Sequence, residues 1–309
     1  MWRSGIQFKV YQAILAGKIK LPNLPDNTMK LRHTLANPNF NIRDLLVPLH
    51  ANPEIAAVVL NAANSTAFYG ARPTEDLNSA VVRLGASTVT SIVLTHSLQS
   101  TLVKRNLPVR HVIRNLWQDN IRVGSLCTVI ARKMSAASVK LDADKALLAG
   151  STHHMGTLML LSYMNDRQLA MPTQEEVDNI PSDLAANIAA VLARHWRLDN
   201  EILGCIKARN DFEELTSGAF SIQDAYQFAV LLHRIKDKKE TNLPSLDQTV
   251  PVKKAALHGL LGTSLDVFIT EVMAHADLIS DSLVSGVGSS TVGDKNSPLY
   301  MSAAQRYCA

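Results

Sequence analysis

Apolar residues recur with the spacing of an α-helix along nearly the whole chain, and this periodicity limits the possible fold more than any other feature. Each apolar set forms one stripe on a helix surface. The clearest sets are Ile55, Val58, Val59 and Ala62; Leu77, Ala80, Val81 and Leu84; and Leu184, Ile188, Val191 and Leu192. No strand-like alternation of useful length is present, and turn-forming Asn, Gly and Pro residues separate segments of about 10 to 20 residues. The sequence therefore predicts an all-α protein, built as a multi-helix array.

Length and charge narrow the possible functions. The 309 residues could form about two domains of roughly 100 to 200 residues each, or one helical array, and 47% of them are hydrophobic, which is enough for a sizeable core. The net charge of +4 is small. The densest basic segment, residues 105–122, lacks the interleaved aromatic side chains that stack on bases. We therefore do not expect nucleic acid as a partner.

Cysteine usage and the uncharged segments indicate the compartment. Cys127, Cys205 and Cys308 are far apart, and an odd number of cysteines fits a reducing environment better than a disulfide framework. The N-terminal residues lack the apolar core of a secretory signal. Residues 84–103 and 146–165 are uncharged and long enough to span a bilayer, but Ser, Thr, Gln and His interrupt both runs. We therefore expect a cytoplasmic protein without membrane contact.

Four spaced segments of the first half carry a family resemblance. They are LPNLP at residues 21–25, the segment at residues 45–55, LNAANSTAFYG at residues 60–70 and DLNSAVVRLG at residues 76–85. Taken in this order they resemble the HDOD family, helical relatives of the HD metal-dependent phosphohydrolases that occur in bacterial signalling proteins. The resemblance extends over roughly residues 20–210, about two thirds of the chain.

The resemblance implies a domain organisation. An N-terminal helix at residues 1–19 precedes an HDOD domain at residues 20–215. That domain divides into an N-terminal helical subdomain (20–107) and an HD-like bundle (108–215). Further helices follow at residues 216–281, and residues 282–309 are expected to form a loose tail because they are rich in Gly, Ser, Val and Thr.

A polar and aromatic segment follows the apolar stripe that ends at Ala62. Asn64 and Ser65 suit a helix end, where backbone groups need local polar partners. Phe68 and Tyr69 would then either fold onto the core as a lid or border a groove for a partner or ligand. These four residues form the candidate interaction surface.

The resemblance also raises the question of a metal centre. An HD site needs imidazole and carboxylate ligands that together activate a bound water. The superfamily's adjacent His-Asp pair aligns with His153 and His154, so that a histidine stands where the Asp would be. Asp119 stands where an upstream His is expected. Ala185 and Arg209-Asn210 occupy the places of later histidines.

Helix geometry bears on whether His153 and His154 could share an ion. Neighbouring residues on a helix point about 100° apart, so both imidazoles could face one ion only at a kink. Gly156 is small and would let another helix approach closely. The remaining histidines, among them His195 and His233, are scattered one to a helix and show no metal-ligand spacing.

These observations favour a non-catalytic HDOD protein of bacterial signal transduction. We expect it to act as a regulatory module that binds a signalling protein or a small nucleotide, with a homodimer as a further expectation and no cofactor. His153 and His154 would then be core histidines held by hydrogen bonds. The alternative is a metal-dependent phosphohydrolase with a rearranged site, in which His153, His154 and Asp119 hold a divalent metal ion.

Overall fold

Helices account for all the regular secondary structure that the computed structural model describes, which covers residues 5–37, 39–65, 73–102, 110–137, 139–209, 212, 219–237, 246–257 and 265–285. Within these ranges there are fifteen α-helices, one short 3-10 helix at Leu246–Gln248, and no strand. The α-helices are α1 (Ile6–Leu15), α2 (Asp26–Ala36), α3 (Ile42–His50), α4 (Pro53–Asn64), α5 (Leu77–Leu84), α6 (Ala86–Leu102), α7 (Arg110–Ala136), α8 (Ala143–Ser151), α9 (Met155–Asp166), α10 (Gln174–Asp178), α11 (Ser182–His195), α12 (Asn200–Lys207), α13 (Ile222–Asp237), α14 (Val250–Leu257) and α15 (Leu265–Ser285). The predicted all-α fold is confirmed.

The apolar stripes of α4 and α5 form part of the core. All eight residues of the first two predicted sets are buried, as are Leu184, Ile188 and Leu192 of α11. Local polar groups fix where these helices begin. The side chain of Asn52 accepts a hydrogen bond from the Ile55 amide at the start of α4, and Asp76 accepts one from Ser79 at the start of α5.

A sharp bend at Gly85 separates α5 from α6. The backbone of Gly85 has φ 79° and ψ 157°, a conformation that residues with a Cβ avoid. The chain bends by 107° between the two helices, which together reach the length and hydropathy of a membrane span. Among the described residues, no single helix is both long enough and apolar enough to cross a membrane.

Helices α7, α8 and α9 lie at the centre of the fold, where small residues allow close backbone approach. A Cβ placed on Gly150 of α8 would lie 2.4 Å from the Cα of Gly124 in α7. A Cβ on Gly156 of α9 would lie 1.9 Å from the carbonyl oxygen of Ala185 in α11. The predicted role of Gly156 as a point of close helix contact is therefore confirmed.

Helices α13 and α15 pack onto α7, and α14 packs onto α13, where it forms a buried ion pair. The ammonium group of Lys254 in α14 lies 3.0 Å from the carboxylate of Asp224 in α13. The guanidinium of Arg122 in α7 forms an ion pair with Asp277 in α15. Helix α15 continues to Ser285, past the boundary at residue 281 that composition suggested, and Leu283 in this last part is buried in the core.

Candidate functional site

The histidine pair lies at a break between two helices. Helix α8 ends at Ser151 and α9 begins at Met155, so that Thr152, His153 and His154 form a turn. The amide of His154 donates a 2.6 Å hydrogen bond to Oδ1 of Asn120, a side chain of α7. This contact with α7 gives the amide a partner outside the α8–α9 segment. The uncharged run 146–165 is therefore two helices with a kink at the histidines.

His153 points into the core and contacts α13. Its side chain is buried, with the residue 4% exposed. Its Nδ1 shares a 3.1 Å hydrogen bond with the hydroxyl of Tyr226, and the donor depends on the imidazole tautomer. The two rings lie edge to face with their centroids 6.1 Å apart. His153 is therefore held by a hydrogen bond inside the fold.

Asp119 lies between two histidines that come from different parts of the chain. Its Oδ2 is 3.7 Å from Nε2 of His154, and its Oδ1 is 3.5 Å from Nε2 of His233. Both contacts become ion pairs when the imidazoles carry a proton. The ring of His153 completes the group, with its centroid 4.5 Å from that of His154 and 6.3 Å from that of His233. We call His153, His154, His233 and Asp119 the histidine cluster.

The electrostatic surroundings disfavour a charged His153. Burial lowers the pKa of His153 well below its usual range, and the positive charge of Arg209 lowers it further. His154, His233 and Arg234 act in the same direction. His153 is therefore neutral at neutral pH. Arg209, which stands at the place of a later histidine of the superfamily, therefore opposes an imidazolium at His153.

Part of this cluster was already a candidate metal site in the sequence. His153, His154 and Asp119, named as the possible metal ligands, do lie together. However, no group of three or more His, Cys, Asp and Glu side chains in the described part of the chain has the geometry to hold a metal ion. Ala185, at the place of a later histidine, is buried at the contact of α11 with Gly156 of α9.

Sequence reasoning did not find His233 or Tyr226. These residues are seven positions apart in α13 and therefore share one face of the helix. That spacing is visible in the sequence. What the sequence does not contain is the packing of this face onto the turn at Thr152–His154.

The candidate interaction surface is only partly described. Asn64 joins the end of α4 to the segment before α5: its Nδ2 donates to the carbonyl of Thr74 at 2.7 Å, and its Oδ1 accepts from the Thr74 amide at 2.8 Å. The hydroxyl of Ser65 donates to the carbonyl of Ala62 at 2.8 Å. Phe68 and Tyr69 lie outside the described residues. A binding role for this segment stays a prediction.

Comparison with solved structures identifies the fold. The chain is similar, with a TM-score of 0.76 and 19% identity, to a candidate metal-dependent phosphohydrolase from Shewanella amazonensis SB2B; the match covers 91% of this chain and 99% of that one. It is also similar to an HDOD domain protein of unknown function from Geobacter sulfurreducens, with a TM-score of 0.63 and 18% identity over 88% of this chain and 98% of that one. A candidate signal transduction protein from Marinobacter aquaeolei VT8 matches with a TM-score of 0.60 and 20% identity, over 90% of this chain and 65% of that one.

The class of protein follows from these matches and from the fold: an all-helical protein of the HD-like type. Within that class, the family model of the HDOD domain matches residues 21–212, so the chain belongs to the HDOD family. An uncharacterized protein of Treponema pallidum (strain Nichols) is 23% identical over 205 residues, which is 60% of this chain and 37% of that protein. The chain therefore spans well under half the length of this relative.

Proposed function

We propose that this HDOD protein is a non-catalytic regulatory module of signal transduction that acts by binding a partner. The buried, hydrogen-bonded state of His153 carries this proposal. Its Nδ1 is engaged by Tyr226, and its ring is almost inaccessible to solvent. A hydrolytic centre instead needs ligands directed at a position that substrate and water can reach.

The proposed partner is a signalling protein or a small nucleotide. The segment from Asn64 to Tyr69 is the proposed contact surface. Asn64 is exposed, and its amide holds both backbone groups of Thr74. These two hydrogen bonds join the end of α4 to Thr74, which lies shortly before α5. A Tyr69→Ala variant that keeps its melting temperature but loses binding would support the groove interpretation, whereas a large loss of melting temperature would support the lid.

Metal analysis combined with activity assays tests the non-catalytic proposal. Protein purified without added metal should contain no stoichiometric ion. It should also show no phosphatase or cyclic-dinucleotide phosphodiesterase activity when manganese is supplied. Stoichiometric metal together with turnover that His153→Ala abolishes would overturn the proposal. His33→Ala, a change at an exposed histidine of α2, is the matched control.

The alternative is a metal-dependent phosphohydrolase with a rearranged site in which His153, His154 and Asp119 hold a divalent ion, and its support is the short distance from Asp119 to two histidines, although the described side chains as placed do not form a metal-holding group. Two ligands of a tetrahedral divalent ion lie about 3.4 Å apart when each bond is about 2.1 Å. The separations of 3.7 and 3.5 Å from Asp119 to His154 and His233 are close to this value. Binding would still require the imidazoles to turn toward a shared point. In this alternative, His233→Ala would abolish metal binding as completely as His154→Ala.

A further inference from the structure

A small cavity lies between α4, α6, α7 and α15, away from the histidine cluster. Its volume is about 10 Å³. Apolar side chains from three helices form much of its wall: Val58 of α4, Ile121 of α7 and Leu283 of α15. Three polar side chains of α6, Thr95, His96 and Gln99, also line it. The cavity is thus a mixed polar and apolar space beneath the last described helix.

Two of these polar side chains, His96 and Gln99, each present a buried atom that has no hydrogen-bond partner in the described part of the chain. Nδ1 of His96 and Oε1 of Gln99 are both inaccessible to solvent and unbonded among the described residues. The residues are three positions apart on α6 and therefore neighbours on the same helix surface. Buried polar atoms in folded proteins almost always have a partner, because leaving one without a hydrogen bond is unfavourable. Both residues line the cavity, which offers space for such a partner.

The size of the cavity selects the partner. A volume of about 10 Å³ available to the centre of a water-sized sphere is close to the smallest space that holds one water molecule. A bound water also needs at least two polar neighbours, which His96 and Gln99 supply. We propose that this cavity is a binding site for a single ordered water molecule that bridges Nδ1 of His96 and Oε1 of Gln99.

The water would donate a hydrogen bond to the side-chain oxygen Oε1 of Gln99. It would form a second hydrogen bond with Nδ1 of His96. Burial lowers the pKa of His96, while the negative charge of Glu54 opposes this shift. A neutral imidazole can offer Nδ1 either as a donor or as an acceptor, so it accommodates a water in either role. Because Leu283 belongs to α15, the site is complete only while that helix is docked on α7. The water would therefore link α6 to the docked position of α15.

Direct observation is the first test. A high-resolution crystal structure of the full chain should show one isolated peak of density within about 3.2 Å of both atoms. A direct hydrogen bond between His96 and Gln99, or a cavity without density, would overturn the proposal.

Two substitutions provide an independent test in solution. Val58→Ile adds one methyl group to the wall and should displace the water, lowering the melting temperature by about 2 to 4 °C because both polar atoms lose their partner. Gln99→Met removes one of the bridged atoms and releases the water beforehand, so Val58→Ile should have a smaller effect in that background. Gln118→Met, at an exposed position of α7, is the control for the Gln99 change and should leave the melting temperature unchanged.

The size of the Val58→Ile effect in the two backgrounds separates the explanations. Simple overcrowding would lower the melting temperature equally in the wild-type and Gln99→Met backgrounds, and that result would overturn the proposal. A higher melting temperature for Val58→Ile alone would do so as well, because filling a dry cavity stabilises a protein. A decrease that shrinks in the Gln99→Met background is the expected result.

Discussion

Replacing Gly156 by alanine is expected to destabilise the protein strongly, although alanine is the better helix former. An ideal Cβ at this position would lie 1.9 Å from the carbonyl oxygen of Ala185 and 3.0 Å from the amide nitrogen of Ala189. Carbon and oxygen atoms in close contact normally stay about 3.3 Å or more apart. Helices α9 and α11 must therefore separate by more than an ångström. Such overpacking typically costs about 1 to 3 kcal/mol and occasionally more, and we expect about 3 kcal/mol here because backbone atoms are involved.

The chain offers a matched control in Gly204 of α12. A Cβ there would meet only Oε1 of Gln223 at 3.4 Å, which is an ordinary contact. Gly204→Ala should therefore stabilise the protein by about 0.5 to 1 kcal/mol, the usual gain from replacing glycine inside a helix. Urea denaturation followed by far-UV circular dichroism measures both changes. A Gly156→Ala variant that is as stable as the wild type, or more stable, would refute the close contact of α9 and α11.

Three further predictions concern buried ionisable groups. Lys254→Met should lower the free energy of unfolding by about 3 to 5 kcal/mol, because it leaves the carboxylate of Asp224, which is 2% exposed, without its cation. The double variant with Asp224→Leu should recover much of this loss of stability. The pKa of His153 is lowered in the folded state, so the unfolded chain binds the proton more readily. The contribution of neutral His153 to the free energy of unfolding is therefore complete above about pH 6.5 and is lost as the pH falls below that value. Denaturation at several pH values should show this slope, of at most about 1.4 kcal/mol per pH unit, and His153→Gln should remove it. Because burial raises the pKa of Cys127 and Cys205, the latter to about 12, a thiol reagent at pH 8 should react with neither of these two cysteines until the protein unfolds.

Local patterns in the sequence were enough to predict the helices and part of their packing. The stripe from Ile55 to Ala62 depends only on residues within one helix, and its burial follows from the same periodicity that predicted it. Gly156 could also be interpreted locally, because a glycine beside long apolar residues indicates close approach of a neighbour. Helix α15 continues to Ser285, past the boundary at residue 281 that composition suggested. The Gly- and Ser-rich composition begins near Ser282, but Leu283 continues the apolar spacing that begins at Phe268.

The break at the histidines could not be predicted in the same way. The run from Ala146 to Asn165 has no proline and no turn-forming pair at Thr152–His154. The His154 amide at this break binds the side chain of Asn120, more than thirty residues earlier. Local propensity contains no information about such a contact. For the same reason, the sequence showed that His153 and His154 could share an ion only at a kink, but did not show that a kink exists.

The cluster is completed from outside the segment that defines the family. His153, His154 and Asp119 lie within residues 21–212, whereas Tyr226 and His233 belong to α13, which begins beyond that range. Helix α13 supplies both the hydroxyl that bonds His153 and the second imidazole beside Asp119. If α13 moved away, His153 would lose its hydrogen bond and gain solvent, which removes the main cause of its lowered pKa. The packing of α13 therefore gives His153 its hydrogen-bond partner and contributes to the lowered pKa of its imidazole.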